Sequence, residues 1–269
     1  MSDDKEMGFL DHLEEFRGRI IKGLLGIVVG AGVIFSAKSF VFDSIIFGPR
    51  NADFSTYRAL CWLSQKLGFD DGFCVTEINY EIINTTMVGQ FTAHLMVSLI
   101  GGFIIAFPWV YYQAWSFVKP GLKNKEIEAV RGVVFYASAL FFSGVLFGYY
   151  VIAPMSLQFL GNYQVGDVKS TITIISYMKT VASITLAAGL VFQLPVLVYF
   201  LTKIGLVTPE ILKKFRKHAL VAVLILAALI TPPDVSSQVL VAIPVLLLYE
   251  VSIVISRRVI RRKKELSTT

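Results

Sequence analysis

The chain has 269 residues, 55% of them hydrophobic and only 16% charged, with a mean hydropathy of +0.67. A soluble all-helical protein of this length carries charge on the outer face of every helix. Stretches such as Val133–Ala153 carry none, which excludes the soluble class. The net charge of +6 is sorted along the chain rather than gathered on one surface, so it does not point to nucleic acid.

Six hydrophobic stretches follow one another, at about 20–37, 89–115, 132–154, 180–201, 219–230 and 240–256. Nineteen of the 25 lysines and arginines fall in alternate gaps between them. These are the N-terminal region through Lys22, the gap from Lys119 to Arg131, the gap from Lys203 to Lys217, and the C-terminal run Arg257–Lys264. Translocating positive charge is costly, so these gaps belong on the cytoplasmic side. The pattern predicts an all-α polytopic membrane protein with six transmembrane helices, both termini cytoplasmic, and residues 1–269 forming a single membrane domain.

In chain order, Phe9, Leu13, Phe16 and Ile20 recur on one stripe, with Asp11, Glu14, Glu15 and Gly18 opposite. This predicts an amphipathic helix on the cytoplasmic surface, its apolar side in the headgroup boundary or against the bundle. The acidic start and the absence of a clear small-residue cleavage site predict that the first span stays as an uncleaved anchor. The long outer gap Ser39–Val88 contains a short amphipathic helix at Tyr57–Leu67 and a strand-like piece within Val75–Ile83. It also holds both cysteines, Cys61 and Cys74, in the compartment where disulfides persist. Their spacing permits a bridge; two reduced cysteines packed as small apolar residues are the alternative.

The second span is expected to end at Pro108–Trp109, followed by an aromatic cluster at the cytoplasmic interface, and the third at Pro154. Pro195 in the fourth span removes a backbone donor and clashes with the Val191 carbonyl, which predicts a kink; Pro244 should do the same in the last span. Ala219–Ile230 offers only about 18 Å of helix against a hydrocarbon core of about 30 Å, so spans five and six read as a short hairpin. Thr231-Pro232-Pro233-Asp234 stops the fifth span, with Asp234 or Ser236 available to cap the next helix. The terminal basic run Arg257–Lys264 is a stop and a contact for anionic membrane lipid.

No phosphate-binding loop, metal-ligand spacing or nucleophile–base arrangement is present, so no catalytic residue, cofactor or metal is expected. The histidines His12, His94 and His218 are far apart in the topology, and His94 reads as a packed, hydrogen-bonded group. The intramembrane polar residues noted are Gln90, Thr92, His94, Thr185 and Gln193, too few to line a solute path. Gln193 lies two residues before the Pro195 kink, where an interhelical hydrogen bond and a functional role are both open. Two cytoplasmic carboxylates are more suggestive. Glu15 either pairs with Arg19 one turn on or binds a ligand; Glu126 either favours a helix N-terminus or does the same.

Three strings resemble motifs of the TatC family, the multi-span receptor subunit of the twin-arginine protein translocase. They are His12-Leu13-Glu14-Glu15-Phe16-Arg17 with Arg19, Tyr112–Leu122 (YQAWSFVKPGL) with Glu126, and Thr231–Gln238 (TPPDVSSQ). The resemblance implies a six-span, glove-shaped protein of the cytoplasmic (inner) membrane that recognises twin-arginine signal peptides of folded precursors. It implies that Glu15 and Glu126 are the signal-binding carboxylates, with Arg17 and Phe117 on the same surface. It further implies TatA- and TatB-type single-span partners near spans five and six, a homo-oligomer within the complex, and transport driven by the proton-motive force. Many family members have glutamate where this chain has Gln193, and an amide cannot titrate. A small-molecule secondary transporter is the rival reading, but the midplane solute site and inverted repeats it requires are not found.

Overall fold

The computed structural model describes residues 9–68, 74, 80–118, 132–163, 171–230 and 235–267. The predicted all-helical character holds: among the described residues only two three-residue strands interrupt it. Among the described residues, five helical stretches are long and apolar enough to cross a membrane: Leu13–Ser36, Gly89–Val118, Val133–Asn162, Ile174–Lys203 and Gln238–Arg261. The stretch expected as the fifth of six spans is a helix of 15 residues, Arg216–Ile230, about 22 Å long. By contacts the chain divides into two compact units, residues 1–38 with 94–139, and 39–93 with 140–269.

In the first unit α1 (Phe9–Ser36) is one uninterrupted helix of 28 residues. The expected separate surface helix at Phe9–Ile20 is therefore the first three turns of the first span. Gly18 is the one weak helix former there and nothing crowds it, so no residue forces a break. The next long helix is α3 (Gly89–Val118), which α1 meets in its half from His94 onward. Gly30 and Gly102 let the two backbones touch, since a Cβ on Gly30 would lie 2.7 Å from the Gly102 carbonyl oxygen. Trp109 Nε1 donates to the Lys22 carbonyl at 3.0 Å, and Phe35 stacks on the buried His94 ring at 4.1 Å. His94 thus has the packing part of the role expected of it. Pro108 does not end this helix, which runs ten residues further to Val118.

In the second unit α2 (Ser55–Leu67) is the expected amphipathic helix. The strand-like piece is β1 (Glu81–Ile83), which pairs in parallel with β2 (Thr171–Thr173), in register Glu81↔Thr171. Cys61 and Cys74 are joined by a disulfide in the structure. Closing a loop over a sequence separation of 13 stabilises by roughly 3 kcal/mol in the chain-entropy account. Reducing the bridge is therefore expected to lower the thermal midpoint of the solubilised protein, read against a Cys61→Ala/Cys74→Ala variant that reductant does not shift.

Pro154 does not end the helix of the third span. α4 (Val133–Phe147) passes through a π-helical segment, Gly148–Ile152, into α5 (Ala153–Asn162). A proline at 154 cannot donate to the Tyr150 carbonyl one turn back, and the Thr56 hydroxyl of α2 donates to it instead. The same repair occurs at Pro49, whose missing donor leaves the Ile45 carbonyl to the Tyr149 hydroxyl at 2.6 Å. Tyr57 completes the join, its hydroxyl donating to the carbonyls of Pro49 at 3.0 Å and Pro154 at 3.3 Å. Each such bond contributes about 1 kcal/mol net, and leaving a buried carbonyl empty costs more. Burial pushes the Tyr80 hydroxyl up to about 12 and Tyr57 above its ordinary value, so both stay protonated at physiological pH.

The Pro195 break is present: α6 (Ile174–Val191) stops and α7 (Leu194–Lys203) restarts after Phe192 and Gln193. α8 (Pro209–Lys214) is capped by Thr208, whose Oγ1 accepts from Ile211 N, and α9 (Arg216–Ile230) follows. Thr231–Asp234 lies outside the described residues. The last helix, α10 (Val235–Ser267), is not short: it has 33 residues, runs through Pro244 and carries the basic run beyond Ser256. Nothing in Arg257–Lys264 breaks a helix, and charge alone does not end one. Ile152, Ile184, Ala188, Val223, Ala227, Val241 and Val245 form the core of this unit.

Candidate functional site

Glu15 and Arg19 lie one turn apart on α1, and the pair expected from spacing forms. Arg19 Nη2 and Nε reach Glu15 Oε1 at 2.9 and 3.3 Å, with 24% and 29% of the two side chains exposed. An exposed pair of this kind contributes a few tenths of a kcal/mol, so its effect is orientation more than stability. Both donors converge on Oε1, which leaves Oε2 without a donor among the described residues. Arg17 is exposed, two residues from Glu15 and thus off its face.

Beside the pair opens a cavity of 330 Å³ between α1 and α3, within the first unit. Phe16, Ile20, Gly23 and Ile27 line one wall at helical spacing, and Val110, Gln113, Ala114 and Phe117 line the other. Phe16 and Phe117 meet at 4.9 Å between ring centroids. Gly23 has nothing within 4 Å of where a Cβ would sit, which leaves the wall open there. The lining is apolar except for Arg19 and Gln113.

The structure therefore brings Glu15, Arg19 and Phe117 to one place. Glu126 falls outside the described residues. Gln193 belongs to the second unit, in the break between α6 and α7, where its carbonyl accepts from Leu197 N at 3.0 Å.

Two polar residues were missed from the sequence. Gln113 is 5% exposed on the cavity wall, and its Oε1 has no hydrogen-bond partner among the described residues. Glu250 is a carboxylate within the last apolar stretch, paired with Arg216 at 2.6 Å. Both were legible as polar side chains in apolar surroundings, the signal that marked Gln193.

The family described as "TatC: Sec-independent protein translocase protein (TatC)" matches residues 11–244. A Sec-independent protein translocase protein TatC of Blattabacterium sp. subsp. Periplaneta americana (strain BPLAN) is 37% identical over 268 residues, covering 97% of this chain and 99% of that protein. The TatC protein of Aquifex aeolicus (strain VF5) is 32% identical over 262 residues, covering 97% and 99%. A crystal structure of the twin-arginine translocase receptor TatC superposes with a TM-score of 0.66 at 31% identity, over 92% of this chain and 99% of that one. A second, in DDM, gives 0.70 at 32% identity over 91% and 99%. A multi-pass helical architecture, a cavity beside a glutamate–arginine pair and similarity along nearly the whole length agree. The chain belongs to the TatC family of Sec-independent protein translocase proteins.

Proposed function

We propose that the chain is the signal-peptide receptor and core subunit of a twin-arginine translocase. It is not an enzyme: it exports folded precursors across the cytoplasmic (inner) membrane at the expense of the proton-motive force. The observation that carries the reading is the Glu15 carboxylate, held by Arg19 with no donor to Oε2 among the described residues, at an apolar cavity that Phe117 helps to line. Phe117 stands nine residues before Glu126 on the segment leading to it. A guanidinium pair prefers planar carboxylates and cannot shed its charge, so Glu15 and Glu126 together suit two adjacent arginines. Lys119, Lys123 and Lys125, in the same gap of the sequence as Glu126, repel arginine elsewhere, which sharpens selection.

Each exposed charge contact supplies about 1 kcal/mol or less, so the apolar part of the peptide must add affinity. One buried Leu-sized or Phe-sized side chain supplies about 2 kcal/mol, and the cavity offers the apolar wall for it. Phe117 completes the binding surface, and Arg17, on a neighbouring face of α1, flanks it. Six spans with both termini cytoplasmic, the 15-residue α9 counted as the fifth, fit the alternation of basic gaps. TatA- and TatB-type single-span subunits join the complex beside the last two spans, and several copies of this chain assemble within it.

Photocross-linking from positions 15 and 126 to a precursor bearing Arg-Arg tests the assignment. Adducts are expected with the Arg-Arg precursor and not with a Lys-Lys control; equal yields from both would remove it. Gln193, an amide that cannot titrate, takes no protonation-linked part. Gln193→Ala is expected to reduce export less than Glu15→Ala in the same reporter strain, and an equal or larger loss would give the amide a central role.

A further inference from the structure

We propose that α2 is an anchor in the outer lipid headgroup layer, with Arg58, Trp62 and Lys66 taking anionic phospholipid. This goes beyond the receptor reading and requires that the third span crosses the membrane with its C-terminal end outward.

Depth is the first argument. The apolar run that begins at Val133 leaves a hydrocarbon core of about 30 Å after about 20 residues, near Ile152. The first turn of α2 is fastened at that level, by Thr56 to the Tyr150 carbonyl and by Tyr57 to the Pro154 carbonyl. Phe54 stacks on Tyr150 at 5.6 Å at the same height.

The exposed face is the second. Tyr57 and Ser64, each 1% exposed, hold α2 to the rest of its unit. Away from them, Arg58, Trp62 and Lys66 recur at i, i+4 and i+8, with Trp62 61% and Leu63 45% exposed. Lys66 Nζ lies 4.8 Å from the Trp62 ring centre. A tryptophan between two cations suits a headgroup layer: the indole sits among glycerol and upper acyl groups while the cations reach phosphate. α2 contains no acidic residue to oppose an anionic partner. Exposed Phe40 and Tyr150 continue the apolar surface into the hydrocarbon.

The test uses the full-length chain in nanodiscs, with Trp62 emission taken as the difference between wild type and Trp62→Phe. The quenchers are phosphatidylglycerol or phosphatidylcholine brominated high on the acyl chain, and iodide in the water phase. Brominated phosphatidylglycerol is expected to lower Trp62 emission by about twofold, with iodide nearly without effect. Arg58→Gln and Lys66→Gln should each raise the phosphatidylglycerol fraction needed for half-quenching by about fivefold. A Cys61–Cys74 bridge that resists thiol blocking shows that each variant's cap is folded. Quenching by iodide alone places α2 in water and overturns the proposal. Protection from both quenchers places it under a second copy or another protein and overturns it too. Equal response to the two lipids removes the anionic preference. Cross-linking at position 15 is independent of all these outcomes.

Discussion

Glu15→Ala and Glu126→Ala are each expected to abolish export of a twin-arginine reporter while leaving the amount of the chain in the membrane unchanged. Glu15 is partly exposed and its bond to Arg19 contributes only tenths of a kcal/mol, so the fold does not depend on it. Ligand binding does. Each exposed charge contact is worth about 1 kcal/mol, so losing either acid weakens peptide binding by about fivefold and losing both by about twenty-five-fold. Arg19 separates this account from simple charge balance. Glu15→Ala frees a cation beside the cavity that repels incoming arginine, whereas Glu15→Gln keeps the shape and removes only the charge. Comparable loss in both variants is expected from the carboxylate account, read as binding of an Arg-Arg peptide to solubilised protein. Normal export by the Glu15 and Glu126 variants alike would sink it.

Gly30→Ala is expected to lower the thermal midpoint of the solubilised chain, whereas Gly18→Ala and Gly32→Ala leave it unchanged or raise it. All three glycines lie on α1, where alanine is the better helix former by up to about 1 kcal/mol. Around Gly18 and Gly32 nothing lies within 4 Å of an added methyl, so only the helix preference remains. At Gly30 the methyl would stand 2.7 Å from the Gly102 carbonyl oxygen, and backbone cannot turn aside as a flexible side chain can. The helices must separate, which costs about 1–3 kcal/mol and reverses the sign of the substitution. Separation also widens the cavity between Phe16 and Phe117, so peptide binding should fall with stability. A midpoint for Gly30→Ala at or above that of Gly32→Ala would show that the close approach is not a determinant of packing.

What the sequence made visible was governed by short-range chemistry. Runs of apolar residues located the long helices, spacing located α2, and Pro195 located the interruption between α6 and α7. Pro154 misled because its effect depends on a donor from elsewhere: Thr56, nearly a hundred residues away, supplies the bond that the proline cannot. No local pattern carries that information. The parallel pairing of β1 with β2 was hidden for the same reason, since each strand has three residues and its partner lies in another gap. Pro108 and the basic tail after Ser256 misled differently, because composition was taken to end helices whose backbones continue. At the site, Glu15 and Phe117 were legible through resemblance to a family. Gln113 escaped although its polarity among aromatics was in plain view, because only the structure shows the wall on which it stands.

The carbonyl repairs at Ile45 and Tyr150 impose an order on biogenesis. The segment from Ile45 to Tyr57 is synthesised long before Tyr149 and Tyr150 leave the ribosome, and Glu81 waits likewise for Thr171. Until the later helices are made, this nascent segment holds backbone groups that only water or a chaperone can satisfy. Maturation of this region is therefore a late, post-insertional event, and a ribosome stalled before residue 171 leaves it unfinished.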